Sequence, residues 1–237
     1  MATKILTYHS IGPQNSNEPG ADLYCVNEDI FKQHMRFLKT QYRIDNTNPM
    51  VTFDDGFNNN YTQAYPALVE FGLTAYFFVI APKVGEPGYM TWQQINELKN
   101  AGMIIGSHGM THKILTMLND KDMDYEIKES KKILEDNLKS RIDTISIPRG
   151  FYNQAILDKI KKAGYAKVFT SDPRDTDGFK FGRISVKASW DMKRFARMLE
   201  EKYSFKEQAE EFMKTVSKKI LGAGMYDKMR TTILKGI

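Results

Sequence analysis

Residues 50–80 read MVTFDDGFNNNYTQAYPALVEFGLTAYFFVI, and this stretch holds one complete strand–helix–strand unit. Met50–Phe53 is short, apolar and partly β-branched. Tyr61–Phe71 sets apolar residues at helical spacing and stops at Gly72, and Ala75–Ile80 is an unbroken apolar and aromatic run. An apolar run without alternation is what a strand buried on both faces shows, and strands separated by helices form parallel sheets.

The same grammar repeats on both sides. Lys4–His9, Met103–Ser107, Thr144–Ile147, Lys167–Thr170 and Arg183–Val186 read as further strands, and Glu28–Leu38, Thr91–Ala101, Asp122–Leu138 and Asn153–Ala163 as helices. Glycines again mark the stops at Ala101-Gly102 and Ala163-Gly164. The predicted fold is α/β: a distorted (β/α) barrel of about seven parallel strands, with an open doubly wound sheet as the alternative. In either, the C-terminal strand ends share one face, where sites are built. His9, Asp54, Asp55, His108 and Pro148-Arg149-Gly150 all fall at such ends.

Composition supports a folded domain: the chain has 237 residues, 41% hydrophobic and 27% charged. A net charge of +5 is too mild to call for a nucleic-acid partner. Cys25 is the sole cysteine, which excludes an intramolecular disulfide and a cysteine-rich zinc site. The opening MATKILTYHSIGPQ has an apolar run too short for a signal-peptide core, and no stretch approaches membrane-spanning length. A cytoplasmic location is the expectation.

Two short segments carry metal chemistry. Asp54-Asp55-Gly56 puts two carboxylates where a strand gives way to a turn, and His108-Gly-Met-Thr-His112 offers two imidazoles four residues apart, a spacing that one helical turn would bring to one face. Each has a plainer reading, as a hydrogen-bonded turn or a pair of structural histidines. Together, one Asp and two His make a three-ligand site with open positions, and the second Asp is left over as a base.

Val51-Thr-Phe-Asp-Asp-Gly56 followed by Ser107-His-Gly-Met-Thr-His112 resembles the first two motifs of the polysaccharide deacetylases, carbohydrate esterase family four with the NodB-homology fold. The resemblance continues through Ala75–Val79, Met90-Thr-Trp92, Ser146-Ile-Pro-Arg-Gly150, Gly164-Tyr165 and Arg183–Val186, covering roughly residues 3 to 190. It implies a distorted β/α barrel that removes acetyl groups, usually N-acetyl, from glycans. By that resemblance Asp55, His108 and His112 hold one divalent metal, commonly zinc, with cobalt or nickel as alternatives. Asp54 is then the general base, and the residue after the motif's proline, Arg149 between Pro148 and Gly150, lends a backbone N–H to the oxyanion.

Two positions depart from the family pattern. Ser146 stands where the third motif usually begins with an arginine that orients the base, so Arg149 or Arg183 is the candidate substitute. The late Leu-x-His motif that usually supplies the acid is missing, since no histidine follows His112; His9, in Thr7-Tyr-His-Ser-Ile11, resembles an early-strand histidine that takes that role in one subfamily. His34, inside a helical pattern, reads as a surface or packing residue.

The catalytic domain is expected over residues 1–190, with a helical C-terminal extension over 191–237. Asp191–Tyr203, Phe205–Leu221 and Met225–Leu234 read as helices, and residues 212–237 carry six Lys or Arg against one Asp. Such basic amphipathic helices pack on the barrel, form an oligomer interface or lie on an anionic membrane surface. The expected function is metal-dependent N-deacetylation of an acetylated sugar, whether a nucleotide-sugar, a lipid-linked sugar or a glycan precursor. The alternatives are a non-catalytic glycan-binding or scaffold protein of the same fold and an O-acetyl esterase.

Overall fold

A computed structural model describes residues 4–13, 21–41, 50–175, 177–200, 224–225 and 228. Eight parallel strands form one sheet: β1 (Ile5–Tyr8), β2 (Met50–Phe53), β3 (Ala75–Val79), β4 (Ile104–Ser107), β5 (Thr144–Ser146), β6 (Lys167–Thr170), β7 (Lys180–Gly182) and β8 (Ile184–Ser185). Their order is β8-β1-β2-β3-β4-β5-β6-β7. The helices α1 (Glu28–Gln41), α2 (Tyr65–Phe71), α3 (Trp92–Asn100), α5 (Ser130–Leu138) and α6 (Gln154–Lys162) surround it, a short α4 (Asp120–Asp124) leads into α5, and α7 (Met192–Leu199) follows the last strand.

The two edges of this sheet are consecutive in the chain. β7 pairs with β6 and β8 pairs with β1, and only Arg183 lies between them. One extended stretch thus changes partner at Arg183 and nearly closes the barrel. The sequence reading began its seventh strand at Arg183; the structure begins it three residues earlier, because Lys180, Phe181 and Gly182 are only partly buried and lack the apolar run that marks the other strands.

Alternation sorts the strand residues to two sides. Leu6, Tyr8, Val51, Phe53, Phe77 and Val79 join the large core shared with the helices, whereas Ile5, Tyr76, Phe78 and Phe169 form a separate small cluster with Met50 and Phe181. The second set floors the barrel lumen with aromatic rings. Above it, toward the C-terminal strand ends, Thr7, Thr52, Asp54, Ser146 and Arg183 are buried polar side chains. The lumen is therefore apolar at one end and charged at the other.

Local signals hold where they were strong. Gly72 takes the left-handed conformation (φ 61°) that ends α2, and Thr91, Asn153 and Asp191 cap their helices with side-chain oxygens. The helical patterns at Tyr61–Phe71 and Asp122–Leu138 each contain a π-helical turn, at Asn60–Ala64 and Tyr125–Glu129. His34 is fully buried rather than on the surface, with its Nδ1 against the Tyr8 hydroxyl at 3.1 Å and its ring stacked at 3.7 Å on Phe195 of α7. That contact packs the start of the C-terminal extension onto α1. The remaining helices expected there, and most of the basic segment, lie outside the described residues. Among the described residues, no helix is long and apolar enough to cross a membrane.

Candidate metal centre and its carboxylate

Asp54 and Asp55 follow β2, and the chain turns between them. Asp55 has φ 73° and Gly56 φ 79°, so the two adjacent carboxylates are not sent to opposite sides as they would be in a strand. Asp54 is 4% exposed and Arg183 2%. The guanidinium grips Asp54 with both prongs: Nη1 donates to Oδ1 at 2.7 Å and Nη2 to Oδ2 at 2.8 Å. Nη2 also donates to Ser146 Oγ at 2.7 Å, Nη1 to Thr52 Oγ1 at 3.2 Å, and Nε to the Thr170 carbonyl at 3.2 Å. Ser146 in turn donates to Asp54 Oδ2 at 3.2 Å. The guanidinium carbon lies 5.4 Å from the Phe78 ring centre and 6.0 Å from that of Phe169, so the charge rests on the aromatic floor. Burial alone would raise the pKa of Asp54, but the Arg183 charge, His108 and the Arg183 hydrogen bonds outweigh it and hold the carboxyl well below the usual range.

Asp55 faces the histidines. Its Oδ1 lies 3.5 Å from His108 Nε2 and 3.4 Å from His112 Nε2, and one atom from each of the three residues falls within 4.8 Å of the others. His108 Nδ1 is 2.9 Å from the Ser146 carbonyl, which can only accept, so Nδ1 carries the proton and Nε2 presents its lone pair. Burial lowers the pKa of His108, against the pull of the neighbouring carboxylates. Asp55 Oδ1 is buried without a hydrogen-bond partner. An orphaned carboxylate oxygen facing two imidazole nitrogens fits a divalent cation, and an O/N/N donor set suits zinc and its neighbours.

The His108–His112 segment is not helical, contrary to the spacing argument. A loop brings the imidazoles together, their ring centres 5.1 Å apart, with Gly109 at φ 77° and His112 at φ 57°. Among the described residues, four other than glycine have positive φ, and Asp55, His112 and Arg149 are three of them; the fourth, Lys139, ends a helix. Such conformations cost about 1–2 kcal/mol each and collect where function requires them.

His9 follows β1. It is half-buried overall, but its ring is covered by Tyr24 at 4.7 Å and its Nδ1 is buried without a partner. Burial lowers its pKa, partly opposed by the charges of Asp55 and Asp54, which places the ring in their field. Pro148-Arg149-Gly150 forms a tight turn after β5; the Gly150 N–H is taken by Ile147, and Arg149 at its centre has φ 60°. A polar cleft of about 550 Å³, lined in part by Glu28, Asn58, Asn59, Thr62 and Gln63, opens beside the loop that follows Asp55.

The sequence reading brings these residues to one face and names Arg183 as the candidate to orient Asp54, with the Arg149 side chain as the other arginine in reach. The geometry puts Arg183 on Asp54. The signal in the sequence is an arginine placed directly before the apolar Ile184 and close to Val186, an expensive residue to bury without a carboxylate. Glu126, which binds the His112 loop, carries no signal in the sequence, where it is one charged residue of a helical pattern.

Residues 45–168 match the family profile described as polysaccharide deacetylase. The polysaccharide deacetylase-like protein YxkH of Bacillus subtilis is 30% identical over 196 residues, which cover 77% of this chain and 70% of that protein. A peptidoglycan-N-acetylglucosamine deacetylase of Bacillus cereus is 33% identical over 129 residues, 53% of this chain and 58% of that enzyme. Among solved structures, the Streptococcus pyogenes deacetylase PplD in complex with acetate superposes with a TM-score of 0.72 at 24% identity, covering 83% of this chain and 97% of that one.

Proposed function

Because this chain belongs to the polysaccharide deacetylase family, carbohydrate esterase family four with NodB homology, we propose that it hydrolyses an N-acetyl or similar N-acyl group from an amino sugar of a glycan or glycan precursor. The observation that carries the reading is the pairing of an Asp55–His108–His112 trio with a second, ionised carboxylate at its side. A divalent cation on the trio, zinc first and cobalt or nickel in its place, supplies Lewis acidity to the acyl carbonyl and makes water nucleophilic at neutral pH.

The chain's own residues do the rest. Asp54 takes the proton of the attacking water, and Arg183 keeps it ionised and aimed. A carboxyl held at low pKa binds that proton weakly and releases it readily. His9 serves the leaving amine: its resting ring is neutral, and the proton that Asp54 takes from the water is returned through it to the amine nitrogen as the C–N bond breaks. The Arg149 N–H, in the turn shaped by Pro148 and Gly150, steadies the oxyanion. Relatives are named for N-acetylglucosamine in peptidoglycan, for chitooligosaccharide and for poly-β-1,6-N-acetylglucosamine, and an N-acetylhexosamine oligomer is the substrate class to try first. The cytoplasmic location and the membrane or oligomer contacts of the basic C-terminal segment stay part of this proposal, with cell fractionation and sedimentation as their tests.

The test combines elemental analysis with amine release from N-acetylated oligosaccharides. Wild type should carry about one divalent ion per chain, the number one three-ligand site holds. Asp55→Ala should lose ion and activity together, while Asp54→Asn should keep the ion and lose at least about a hundredfold in kcat. Near-normal turnover by Asp54→Asn would exclude it as the base. An ester cleaved in preference to the amide would favour the O-acetyl esterase, and metal without turnover on any acylated sugar the glycan-binding reading.

A further inference from the structure

The loop that carries His112 hangs from a buried carboxylate with no part in the chemistry above. Glu126 is 3% exposed. Its Oε2 accepts the backbone N–H of Met110 at 2.7 Å and of Thr111 at 3.0 Å, and its Oε1 takes the Thr111 hydroxyl. Since the segment between the two histidines is not helical, no helical ladder serves those amides. Without Glu126, three donors would lose their partner.

The fit is tight against Gly109. A Cβ on Gly109 would come within 2.9 Å of Glu126 Oε2, so the residue after His108 has no room for a side chain while the carboxylate is in place. Glu126 belongs to the π-helical turn Tyr125–Glu129, whose extra residue re-aims side chains within an otherwise regular helix. The same turn also fixes the strand end before His108. Ser107 Oγ donates to Ser130 Oγ at 2.8 Å, and Ser130 Oγ donates to the Glu126 carbonyl at 2.7 Å. Both ends of the His108–His112 loop are thus referred to one helical turn, which offsets the cost of holding His112 at φ 57°.

We infer that Glu126 is a positioning residue that sets His112 against Asp55 and His108 and thereby fixes the site's affinity for a divalent cation. This rests on the reading of that trio as a metal site. Outer-shell partners of metal ligands act in this way, their loss weakening binding tenfold to a hundredfold.

The experiment measures the zinc Kd of chelator-stripped protein by competition with a chromophoric chelator, alongside urea unfolding of the metal-free form. Glu126→Ala and Glu126→Asp, which remove or withdraw the carboxylate, should weaken zinc binding about tenfold or more. Glu126→Gln keeps an oxygen for the two amides and offers its NH2 to the Thr111 hydroxyl, so it should stay within about threefold of wild type. A merely structural residue would lower the unfolding midpoint and leave the Kd of the folded protein unchanged. A folded Glu126→Ala or Glu126→Asp with wild-type Kd overturns the inference. Should neither fold, Thr111→Val, which deletes one of the three bonds, takes their place with an expected loss of about threefold, and an unchanged Kd has the same force. Failure of the wild type itself to bind zinc overturns the metal reading, and is seen before any variant is made.

Discussion

Replacing Arg183 by Met removes the positive charge from the lumen and leaves Asp54 buried. The structure gives the size of the effect. Two charge-assisted bonds to Asp54, at 2.7 and 2.8 Å, disappear with three further donations, and the carboxylate keeps only Ser146. Breaking one partner out of such a buried pair costs about 3–5 kcal/mol, two to four powers of ten in the folding constant. The pH dependence gives the sign. In the wild type the folded pKa of Asp54 is depressed, so its contribution is present above the unfolded value of about 4 and lost as pH falls through the folded pKa. In Arg183→Met, burial is opposed only by the Ser146 hydrogen bond and the histidines His108 and His9, and is expected to raise the folded pKa above the unfolded one. The penalty should therefore be largest at neutral pH and shrink as the medium is acidified toward that raised pKa. Urea unfolding with chelator present, at pH 7 and pH 5, measures this for Arg183→Met, Asp54→Asn and the double variant. The double should cost less than the sum of the singles by about 1–3 kcal/mol. A penalty for Arg183→Met below about 1 kcal/mol, or strict additivity with Asp54→Asn, would refute the ion pair as the centre of the lumen.

Gly182→Ala would drive a Cβ into the Asp172 carbonyl and within 2.9 Å of Pro173, one residue before Arg183; a loss of about 3 kcal/mol in urea unfolding is expected, with turnover falling beyond what the unfolded fraction explains. His34 has its pKa lowered by burial to about 3 from 6.5, so the unfolded chain takes up its proton first and stability falls as pH drops from 6.5 toward 3. His34→Gln should flatten stability against pH in that window by up to about 1.4 kcal/mol per unit, and parallel curves would contradict the assignment. Ser146→Arg, the residue usual in the third motif, should be disruptive alone because it adds a second guanidinium beside Asp54. Combined with Arg183→Ser it should recover stability and turnover relative to either single change, as read by urea unfolding and amine release.

What the sequence made legible was what depends on neighbours in the chain. Met50–Phe53 and Ala75–Val79 are apolar enough to name themselves as buried strands, and Gly72 and Thr91 mark helix ends by local chemistry. Asp54, Asp55, His108 and His112 could be brought to one face because parallel βα units put strand ends together. Lys180–Gly182 was missed because its partly buried residues carry no apolar signature. The helix drawn through His108–His112 failed because a carboxylate from another element, Glu126, satisfies those amides in a loop instead. Neither π-helical turn breaks the apolar period around it strongly enough to be read. Arg183 is named for Asp54 from the sequence pattern, but its two-pronged grip is not legible along the chain, since the two residues are 129 apart.

Placement of Arg183 between β7 and β8 ties closure of the barrel to the chemistry in it. A strand that leaves β6 and joins β1 closes the barrel wall, and Arg183, at the change of partner, has its side chain buried against Asp54. An arginine there cannot be buried without an anion, and the one available is Asp54, on the strand beside β1. The pairing works in both directions. Asp54 stays ionised at neutral pH because the closing strand delivers a charge, and the closing strand stays seated because that charge has a partner. Ser146 completes the exchange: a small hydroxyl that donates to Asp54 and accepts from Arg183 fills the place of a larger cation and leaves the guanidinium room to enter from the opposite side. With Ser146 in the place of the usual arginine, Asp54 is still paired, because the charge reaches the same carboxylate from the barrel's last stave.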